Sequence, residues 1–405
     1  MSASYVSRSL TRPLRRASAQ FPVVVLSGPR QAGKATLLRE TFAGKAGYVS
    51  LDAPDLRGFA REDPRAFLAR YKPPLIIDEI QHVPELLPYI KEAVDARRGK
   101  RGQFLLSGSQ NLLLMEQATE SLAGRAAILR LLPFSWRELD RQEERPLPWE
   151  RPRKGLLAPQ TAEGLWPRIL RGGYPEIALD RRRDASLWFG GFQQTYLERD
   201  VRLLRQVGDL QHFQLFIQAL AARSGQLLNM ADLGRGLGLA LNTVKAWLSV
   251  LEATQQILVL RPWHANIHKR LVKTPKVYFT DTGLLCWLTG LHSAAHAAAG
   301  PLAGTLMETA VVGEIHKTLL HQGRPPRLHF WRTTTGDEVD LLVETKRGLL
   351  PIEIKSGATP RPEMADGLRR FRALLPDTLP GLLIHGGELD MTLSDGTRLL
   401  PWHAL

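Results

Sequence analysis

A glycine-rich segment near the start of the chain has the residue types of a phosphate-binding loop. The segment is Gly28-Pro29-Arg30-Gln31-Ala32-Gly33-Lys34. Glycines allow backbone N–H groups to turn toward phosphate oxygens, and a lysine after the last glycine reaches the terminal phosphates of a nucleotide. We therefore predict that Gly28, Gly33 and Lys34 bind the phosphates of ATP, with Mg²⁺ as the accompanying ion.

The position after this lysine departs from the phosphate-loop pattern. A serine or threonine there usually places its hydroxyl on the magnesium ion, whereas this chain has Ala35 followed by Thr36. One residue along a helix is about 100° around its axis, so the Thr36 hydroxyl should face a different phosphate oxygen. Because magnesium can keep a water molecule in that position, we expect nucleotide binding to persist and hydrolysis to be slowed.

Two acidic residues follow the apolar segment Leu75-Ile76-Ile77. At the end of a strand near a phosphate loop, Asp78 is suited to hold magnesium through water, and Glu79 is suited to polarise the attacking water. Adjacent acids also occur at ordinary solvated strand ends. The position of this pair downstream of the phosphate loop favours the functional interpretation.

Two further positions could complete a site for nucleotide hydrolysis. A later apolar run ends in Ser107-Gly108-Ser109-Gln110-Asn111, where Ser109 or Asn111 could sense the γ-phosphate, although an ordinary turn and helix cap uses the same residue types. Arg125 could act as an arginine finger, either in cis or across a subunit boundary. A simple surface arginine is the alternative there.

The C-terminal part contains a second group of residues that could do chemistry. In Glu338-Val339-Asp340 and Glu353-Ile354-Lys355, alternate residues are polar and therefore share one face of a strand. If the two strands pair, Asp340, Glu353 and Lys355 converge. A face of a sheet that carries a cross-strand ladder of salt bridges has the same pattern of charges, and it is the alternative interpretation.

Regular elements are required to position these residues. Before the phosphate loop, Phe21 to Ser27 has the composition of a short buried strand, and a helical pattern follows through Leu37, Leu38 and Phe42. Further core strands are predicted at 48–51, 74–77 and 103–107, with a helix at about 84–97. Strands that alternate with helices indicate a parallel, doubly wound sheet, so the predicted fold class is α/β.

Three further segments follow this first domain. A stretch rich in Pro, Arg and Glu from Asp140 to Pro167 predicts a linker or surface excursion. Helical patterns at 184–201 and 210–224 lead into a helix-turn-helix-like segment at 230–251. A helix at 302–322 and strands at 328–333, 338–344 and 349–354 predict a separate α/β unit. The predicted domains are 1–140, 141–210, 211–300 and 301–405.

Charge and the helix-turn-helix-like segment both bear on possible partners. The formal net charge is +14 and the isoelectric point is about 10.1, which favours phosphate-rich partners such as DNA, although arginine-rich composition also accompanies GC-rich genomes. Asn242, Thr243 and Lys245 could touch a DNA groove, or the segment could be a plain packing module. DNA and a partner protein are both possible partners.

The single cysteine limits the compartment and the kind of metal site. Cys286 alone cannot form an internal disulfide or a zinc site made of cysteines, which favours a reducing environment. No apolar run is long enough for a signal peptide or a membrane span. The sequence therefore predicts a cytoplasmic protein without a membrane anchor.

Several blocks of the sequence resemble a family of bacterial and archaeal AAA-type ATPases with an uncharacterised C-terminal domain. The blocks are the phosphate loop, Ile77-Asp78-Glu79-Ile80-Gln81, Leu106-Ser107-Gly108-Ser109, Ala123-Gly124-Arg125, Leu132-Pro133-Phe134-Ser135, Gly172-Gly173-Tyr174-Pro175, the segment 196–201 and the segment 276–285. This resemblance covers nearly the whole chain. It implies a P-loop AAA-type domain, a winged-helix segment and a nuclease-like C-terminal unit. Members of the family generally keep Thr at the position of Ala35.

The C-terminal group has a resemblance of its own. Asp340, Glu353 and Lys355 resemble the Asp, Glu-x-Lys motif of restriction-type nucleases, and Glu308 matches the extra acid that such folds often bring to the metal ion. The resemblance implies a C-terminal domain of the α/β restriction-endonuclease-like class. It also implies that Asp340, Glu353 and Glu308 are metal ligands and that Lys355 is catalytic.

Together these features predict an ATP-binding AAA-type ATPase whose nucleotide state positions a DNA- or protein-binding C-terminal half. The alternative is a metal-dependent DNA endonuclease that is regulated by its nucleotide-binding domain. A third possibility is a nucleotide-gated binding module without turnover, which the presence of Ala35 would allow.

Overall fold

In the computed structural model, which describes residues 5–109, 121–150, 164–197, 210–263 and 272–405, the chain divides into two units. The first comprises Met1–Phe134 with Ala253–Gln255 and Lys317–Pro325, and the second comprises the rest. The finer division into four domains stays a prediction. Within the described ranges, no helix has both the length and the apolar character needed to cross a membrane.

The first unit is built on a five-stranded parallel sheet. Its strands are β1 (Val23–Gly28), β2 (Gly47–Ser50), β3 (Leu75–Asp78), β4 (Phe104–Ser109) and β5 (Ala126–Arg130), in the order β2-β3-β4-β1-β5. All six residues of β1 are buried, as expected for an interior strand covered on both faces. The structure confirms the predicted parallel α/β sheet.

Helices cover both faces of this sheet. They are Thr11–Gln20, Lys34–Thr41, Pro54–Glu62, Pro64–Arg70 and Leu87–Asp95. Alternate residues of β1 point to opposite faces: Val23 packs in the same core as Phe67 and Ile90, whereas Val24 packs in the same core as Leu14. The central strand is therefore fixed from both sides, and its carboxyl end is a rigid support for the loop that follows.

The first part of the second unit is mostly helical. Its helices are Trp136–Leu139, Leu165–Arg171, Pro175–Ala178, Ala185–Phe192 with a π-helical turn at Gln193–Leu197, Leu210–Ala221, Met230–Leu237, Leu241–Ala253, Thr282–Leu288 and Ala294–Ala299. Strands β6 (Ile257–Leu260) and β7 (Lys276–Phe279) pair antiparallel. The predicted helix at 184–201 extends beyond residue 197 into a part that the structure does not describe.

Two helices occupy the segment that was predicted to resemble a helix-turn-helix. Trp247 on the second of them is buried, and its ring meets Phe213 and Phe216 edge-on with centroid distances of 5.2 and 5.3 Å. Asn242 and Lys245 are exposed on the same helix. One face of this helix therefore packs internally and another is open to solvent, and its identity as a winged helix stays a prediction.

The second unit ends in a six-stranded mixed sheet, preceded by the long helix Ala303–His321. The strands are β8 (Leu328–Arg332), β9 (Glu338–Thr345), β10 (Gly348–Lys355), β11 (Leu382–His385), β12 (Met391–Thr392) and β13 (Arg398–Pro401), in the order β12-β13-β11-β10-β9-β8. The helix Asp366–Leu374 connects β10 to the parallel strand β11 and packs Phe371 against Trp331. The predicted α/β elements are present, and a restriction-endonuclease-like fold stays a prediction.

The described beginning of the segment from Asp140 to Pro167 makes specific contacts, and its role as a linker or surface excursion stays a prediction. Arg145 donates to the carbonyl oxygens of His403 and Ala404 at 3.3 and 2.8 Å, and Leu147 is buried. Asp140 forms a bidentate ion pair with Arg168 at 2.7 and 2.9 Å. The proline and charge content that suggests a linker belongs here to a segment fixed by hydrogen bonds to residues far along the chain.

Two of the sequence blocks described above pack directly against each other. Gly172 has a φ of +71°, and a Cβ atom there would lie 2.4 Å from Asp281 Oδ1. Asp281 accepts hydrogen bonds from the backbone N–H groups of Gly173 at 2.7 Å and Leu284 at 3.0 Å. A Cβ atom on Gly283 would lie 2.6 Å from the carbonyl oxygen of Arg171. The glycines in both blocks are therefore required by close approach around one buried carboxylate.

Replacing Asp281 with alanine should lower the free energy of unfolding by about 2–6 kcal/mol, because two buried N–H donors lose their acceptor at roughly 1–3 kcal/mol each. Asp184→Ala is the matched control, since Asp184 is exposed and accepts one bond, from Leu187 N–H at 3.1 Å. That exposed helix cap should contribute about 1 kcal/mol. Urea denaturation of both variants measures the difference, and equal losses would contradict the role of the buried carboxylate.

Candidate functional site

The segment after β1 has the backbone geometry of a tight loop that closes on a helix. Gly28, Gln31 and Gly33 have φ values of +155°, +55° and +91°. A Cβ atom on Gly28 would lie 2.0 Å from the carbonyl oxygen of Leu131, so only glycine fits there. The helix Lys34–Thr41 begins directly after Gly33, and the first N–H groups of a helix have no partner within it. The loop therefore offers inward-facing N–H donors and the positive end of a helix dipole to an anion.

Lys34 lies inside this loop. Its Nζ atom donates to the carbonyl oxygens of Gly28 at 3.0 Å and Pro29 at 2.9 Å, and the residue is 5% exposed. Ala35 is half-buried beside it, and Thr36 is exposed. The ammonium group is thus held where an anion in the loop would meet it. The prediction that the Thr36 hydroxyl faces a different phosphate oxygen stays a prediction.

Asp78 ends β3 and is held by hydroxyl groups from both neighbouring strands. Tyr48 on β2 donates to Oδ2 at 3.0 Å, and Ser107 on β4 donates to Oδ1 at 2.5 Å. Burial and the nearby Asp78 carboxylate raise the pKa of Tyr48 to about 12, so its hydroxyl remains a donor at neutral pH. The sequence analysis did not identify Tyr48 or Ser107 in this role, because neighbouring strands are known only from the sheet order.

Glu79 follows Asp78 in an unusual backbone conformation. Its φ and ψ are +54° and +43°, in the left-handed region, which costs a residue other than glycine roughly 1–3 kcal/mol. The Gln81 side-chain amide donates a hydrogen bond to the Glu79 carboxylate. The carboxylate is therefore directed by the strained turn and held by a neighbouring amide, next to the acid that β3 provides.

Ser109 and Arg125 lie at opposite ends of the sheet. Ser109 ends β4 beside Gly28, and Asn111 lies outside the described residues. Arg125 precedes β5, where its carbonyl accepts from Val23 N–H at the start of β1. Its guanidinium forms a bidentate pair with Asp95 at 2.7 and 3.0 Å.

The prediction that Arg125 is an arginine finger in cis is wrong for this geometry. β1 separates the arginine from the phosphate loop by roughly 17 Å, at about 3.3 Å per residue, which is farther than an arginine side chain extends. A role across a subunit boundary stays a prediction. The pair with Asp95 gives Arg125 a structural partner within the first unit.

An arginine near the N-terminus holds the phosphate loop through hydrogen bonds to backbone carbonyl oxygens. Arg8 is 3% exposed and donates to the carbonyl oxygens of Ala32 at 3.0 Å and Leu132 at 2.6 Å. The Leu132 N–H donates to Nε2 of His321 at 3.0 Å. Arg8 therefore links the loop to the segment that follows β5. No motif in the sequence marks this residue, and only the contacts reveal it.

A second group of polar residues lies in the second unit. It comprises Glu308 from the helix Ala303–His321, Glu338 and Asp340 from β9, Glu353 and Lys355 from β10, and Lys276 from β7. We refer to these six residues as the carboxylate cluster. The structure brings the predicted residues Glu308, Asp340, Glu353 and Lys355 together, and it adds Lys276 and Glu338, which the sequence analysis did not assign to a site.

One half of the cluster is organised by Lys276. Its Nζ atom lies 2.8 Å from Glu308 Oε1 and 2.6 Å from Glu338 Oε1. Tyr278, two residues later on the same strand, donates to the same Glu308 oxygen at 2.6 Å. Burial alone lowers the pKa of Lys276, but the surrounding carboxylates outweigh this and raise it above its ordinary value. Lys276 is therefore a buried, fully charged ammonium group.

The other half of the cluster is less completely paired. Lys355 Nζ donates to Glu353 Oε1 at 2.6 Å, and Asp340 Oδ2 accepts from the backbone N–H of Ile354 at 2.8 Å. Within the described ranges, Glu353 Oε2 is buried and has no hydrogen-bond partner. Burial raises the pKa of Asp340 well above its ordinary value, and the carboxylates of Glu308 and Glu353 add to that effect.

The resemblance to restriction-type nucleases implies a divalent metal ion at this cluster. In the part of the chain that the structure describes, no three His, Cys, Asp or Glu side chains are arranged to hold a metal ion. Glu308 Oε1 already accepts from Lys276 and Tyr278. The observed arrangement therefore does not fit a metal centre, and metal binding by Glu308, Asp340 and Glu353 stays a prediction.

Comparisons with known proteins match three family models along the chain. An AAA domain matches residues 20–140, and two domains of unknown function, DUF8612 and DUF4143, match residues 162–295 and 303–405. Two curated relatives are the uncharacterized proteins Mb2031c of Mycobacterium bovis and Rv2008c of Mycobacterium tuberculosis. Each is 33% identical over 399 residues, which covers 97% of this chain and 83% of the relative.

A solved structure with partial similarity is the Walker-type ATPase PABY2304 of Pyrococcus abyssi. The identity is 16% and the TM-score is 0.45, over 69% of this chain and 94% of that one.

If Asp78 binds hydrated magnesium as predicted, removing the Tyr48 hydroxyl should weaken that binding. We expect Tyr48→Phe to raise the Mg²⁺ concentration for half-maximal ATP hydrolysis about threefold to tenfold, the equivalent of roughly one hydrogen bond. Tyr89→Phe is the control, since Tyr89 lies on the helix Leu87–Asp95 and stacks with Arg65. A magnesium titration of the rate measures both, and an unchanged midpoint for Tyr48→Phe would show that Tyr48 does not position Asp78.

Proposed function

Since this chain belongs to the family of the two uncharacterized mycobacterial proteins and has an AAA-type ATPase domain at residues 20–140, we propose that it binds ATP with magnesium and hydrolyses it slowly. The observation that carries this proposal is the position of Lys34. Its ammonium group lies inside a glycine-turned loop at the carboxyl end of the central strand. That is the place where a nucleotide phosphate meets both a helix N-terminus and a cation.

The residues around the loop have distinct tasks in this proposal. Backbone N–H groups of the loop and the Lys34 ammonium bind the phosphates, and the ammonium exchanges its carbonyl partners for phosphate oxygens. Asp78, fixed by hydroxyls on both of its oxygens, binds a water ligand of the ion. Bound magnesium would supply charge neutralisation at the γ-phosphate. Glu79 orients the attacking water once its carboxylate leaves the Gln81 amide.

Slow turnover follows from position 35. With Ala35 in place of a hydroxyl residue, position 35 offers magnesium no side-chain oxygen, and Thr36 is exposed to solvent. Water can fill the position, so affinity for the nucleotide is retained while the ion is less firmly placed for the transfer step.

The proposal extends to a nucleotide-dependent action of the C-terminal half on DNA or on a protein. The net charge of +14 and the exposed Asn242 and Lys245 on the helix Leu241–Ala253 support a phosphate-rich partner. Charge and exposure are the two observations that support this part of the proposal.

Ala35→Thr should raise magnesium-dependent ATP turnover several-fold, and nucleotide affinity should change little, because the added hydroxyl completes the ion's ligands. Lys34→Ala should abolish nucleotide binding. Lys45→Ala is its matched control, since it removes an exposed lysine from the same unit. Steady-state hydrolysis and fluorescent-nucleotide titration measure the two quantities. Equal turnover in the parent and Ala35→Thr would sink the role given to Ala35, and unchanged binding in Lys34→Ala would refute the site itself.

A metal-dependent DNA endonuclease is the second candidate function. The observation in its favour is the convergence of Asp340, Glu353 and Lys355, with a buried Glu353 oxygen that has no hydrogen-bond partner within the described residues. The ion pairs of Lys276 with Glu308 and of Lys355 with Glu353 weigh against this candidate. DNA cleavage at this cluster would not require the phosphate loop.

This candidate predicts Mn²⁺-dependent nicking of supercoiled DNA that persists in Lys34→Ala and is lost at least a hundredfold in Asp340→Asn, since a catalytic carboxylate at a metal site contributes on that order. Asp377→Asn, an exposed acid in the same unit, should leave nicking unchanged. Agarose-gel assays of the purified variants measure it. Absence of nicking in the parent protein, or nicking that survives Asp340→Asn, would remove the endonuclease candidate.

A further inference from the structure

Lys276 is a buried member of the carboxylate cluster, unlike the exposed lysine of a surface ion pair. The residue is 3% exposed, and its ammonium lies between Glu308 and Glu338 while contacting the ring of Phe330 at 5.6 Å. Moving a charged ammonium out of water is unfavourable by several kcal/mol unless charged partners surround it. The carboxylates around Lys276 provide that compensation, and Lys276 in turn makes their close approach possible.

The backbone keeps Lys276 in this position. It begins β7, which pairs antiparallel with β6 so that Lys276 is opposite Leu260, and a further bridge joins it to Leu227. Tyr278 projects from the same face of β7 and donates to the same Glu308 oxygen. Two donors from one strand therefore occupy that oxygen.

The positive side chains in and around the carboxylate cluster reduce its attraction for a divalent cation. The ammonium groups of Lys276 and Lys355 offset part of the negative charge of the four carboxylates. The guanidinium of Arg332 lies 3.1 Å from Glu338 Oε2. The remaining open position is the buried Glu353 Oε2, which has no hydrogen-bond partner in the described ranges. An incoming divalent ion would meet Asp340 and Glu353 there, together with the repulsion of two ammonium groups.

We propose that Lys276 is the internal cation of the carboxylate cluster, and that its ammonium charge excludes a divalent metal ion from Asp340 and Glu353. The cluster is then a latent metal site in which a strand-borne lysine takes the place of the ion. This inference concerns the same residues as the endonuclease candidate and is its rival, because that candidate requires a divalent metal ion at Asp340 and Glu353.

The test is Mn²⁺ binding by the full chain without nucleotide, followed by the electron paramagnetic resonance signal of free Mn²⁺. An Asp78→Asn background removes the contribution of the phosphate-loop site. In it, Lys276→Gln removes the charge and keeps a donor for Glu308, and Lys276→Arg keeps the charge. Lys273→Gln removes an exposed charge from the same segment. We expect Lys276→Gln to bind one Mn²⁺ at least tenfold more tightly than the background, and the arginine and Lys273 variants to match the background.

The added affinity of Lys276→Gln should disappear when Asp340→Asn is combined with it. Two results would overturn the proposal: a folded Lys276→Gln variant that gains no affinity, or an unsubstituted Lys276 protein that already binds Mn²⁺ tightly through Asp340. Near-UV circular dichroism reports folding. If Lys276→Gln is destabilised, Mn²⁺ should raise its Tm and leave that of the background unchanged, and no rise would equally refute the proposal. Absence of DNA nicking in the parent protein counts only against the endonuclease candidate, because the Mn²⁺ binding is measured without DNA.

Discussion

The carboxyl ends of β1, β3 and β4 lie at one edge of a parallel sheet, and the proposed nucleotide site depends on that alignment. The register sets Gly28 beside Ser109, and Asp78 lies where hydroxyls from the two flanking strands reach both of its oxygens. The segment after β5 approaches Gly28 so closely that no side chain fits, and Arg8 fixes that segment to the loop. The loop is therefore shaped by the sheet around it as much as by its own glycines.

Local pattern was sufficient to predict the elements that carry the chemistry. Apolar runs located the strands before Gly28 and Asp78, and alternation of polar residues placed Asp340 and Glu353 on shared strand faces. The residues that hold these groups were not predictable in the same way. Tyr48 is 30 positions from Asp78, and Lys276 is 32 positions from Glu308, so their roles depend on strand order and packing. The error at Arg125 has a related origin, because β5, the strand that follows it, is not among the strands that the sequence predicts.

The two buried lysines show how partners determine what a charge can do. Lys34 is bonded to neutral carbonyl oxygens of its own loop, and hydrogen bonds of this kind contribute only about 1–3 kcal/mol when the donor is charged. A phosphate can therefore displace them. Lys276 is bonded to two carboxylates in a site closed to water, and breaking one partner of a buried ion pair costs about 3–5 kcal/mol. The proposed task of the first lysine is to bind an incoming anion, whereas the second lysine is bound to carboxylates of its own chain.

The hydroxyl groups near the phosphate loop are distributed in a way that affects how magnesium binds. With Ala35, the loop lacks the hydroxyl group that usually follows its lysine. Tyr48 and Ser107 each donate a hydroxyl hydrogen bond to Asp78. Both oxygens of Asp78 already accept a hydrogen bond, which orients the carboxylate but leaves fewer lone pairs for direct coordination. Magnesium keeps most of its water ligands and favours phosphate oxygens. An ion at this site would then be held mainly by the nucleotide and by water fixed on Asp78, so we infer that it enters as the magnesium–ATP complex rather than before the nucleotide.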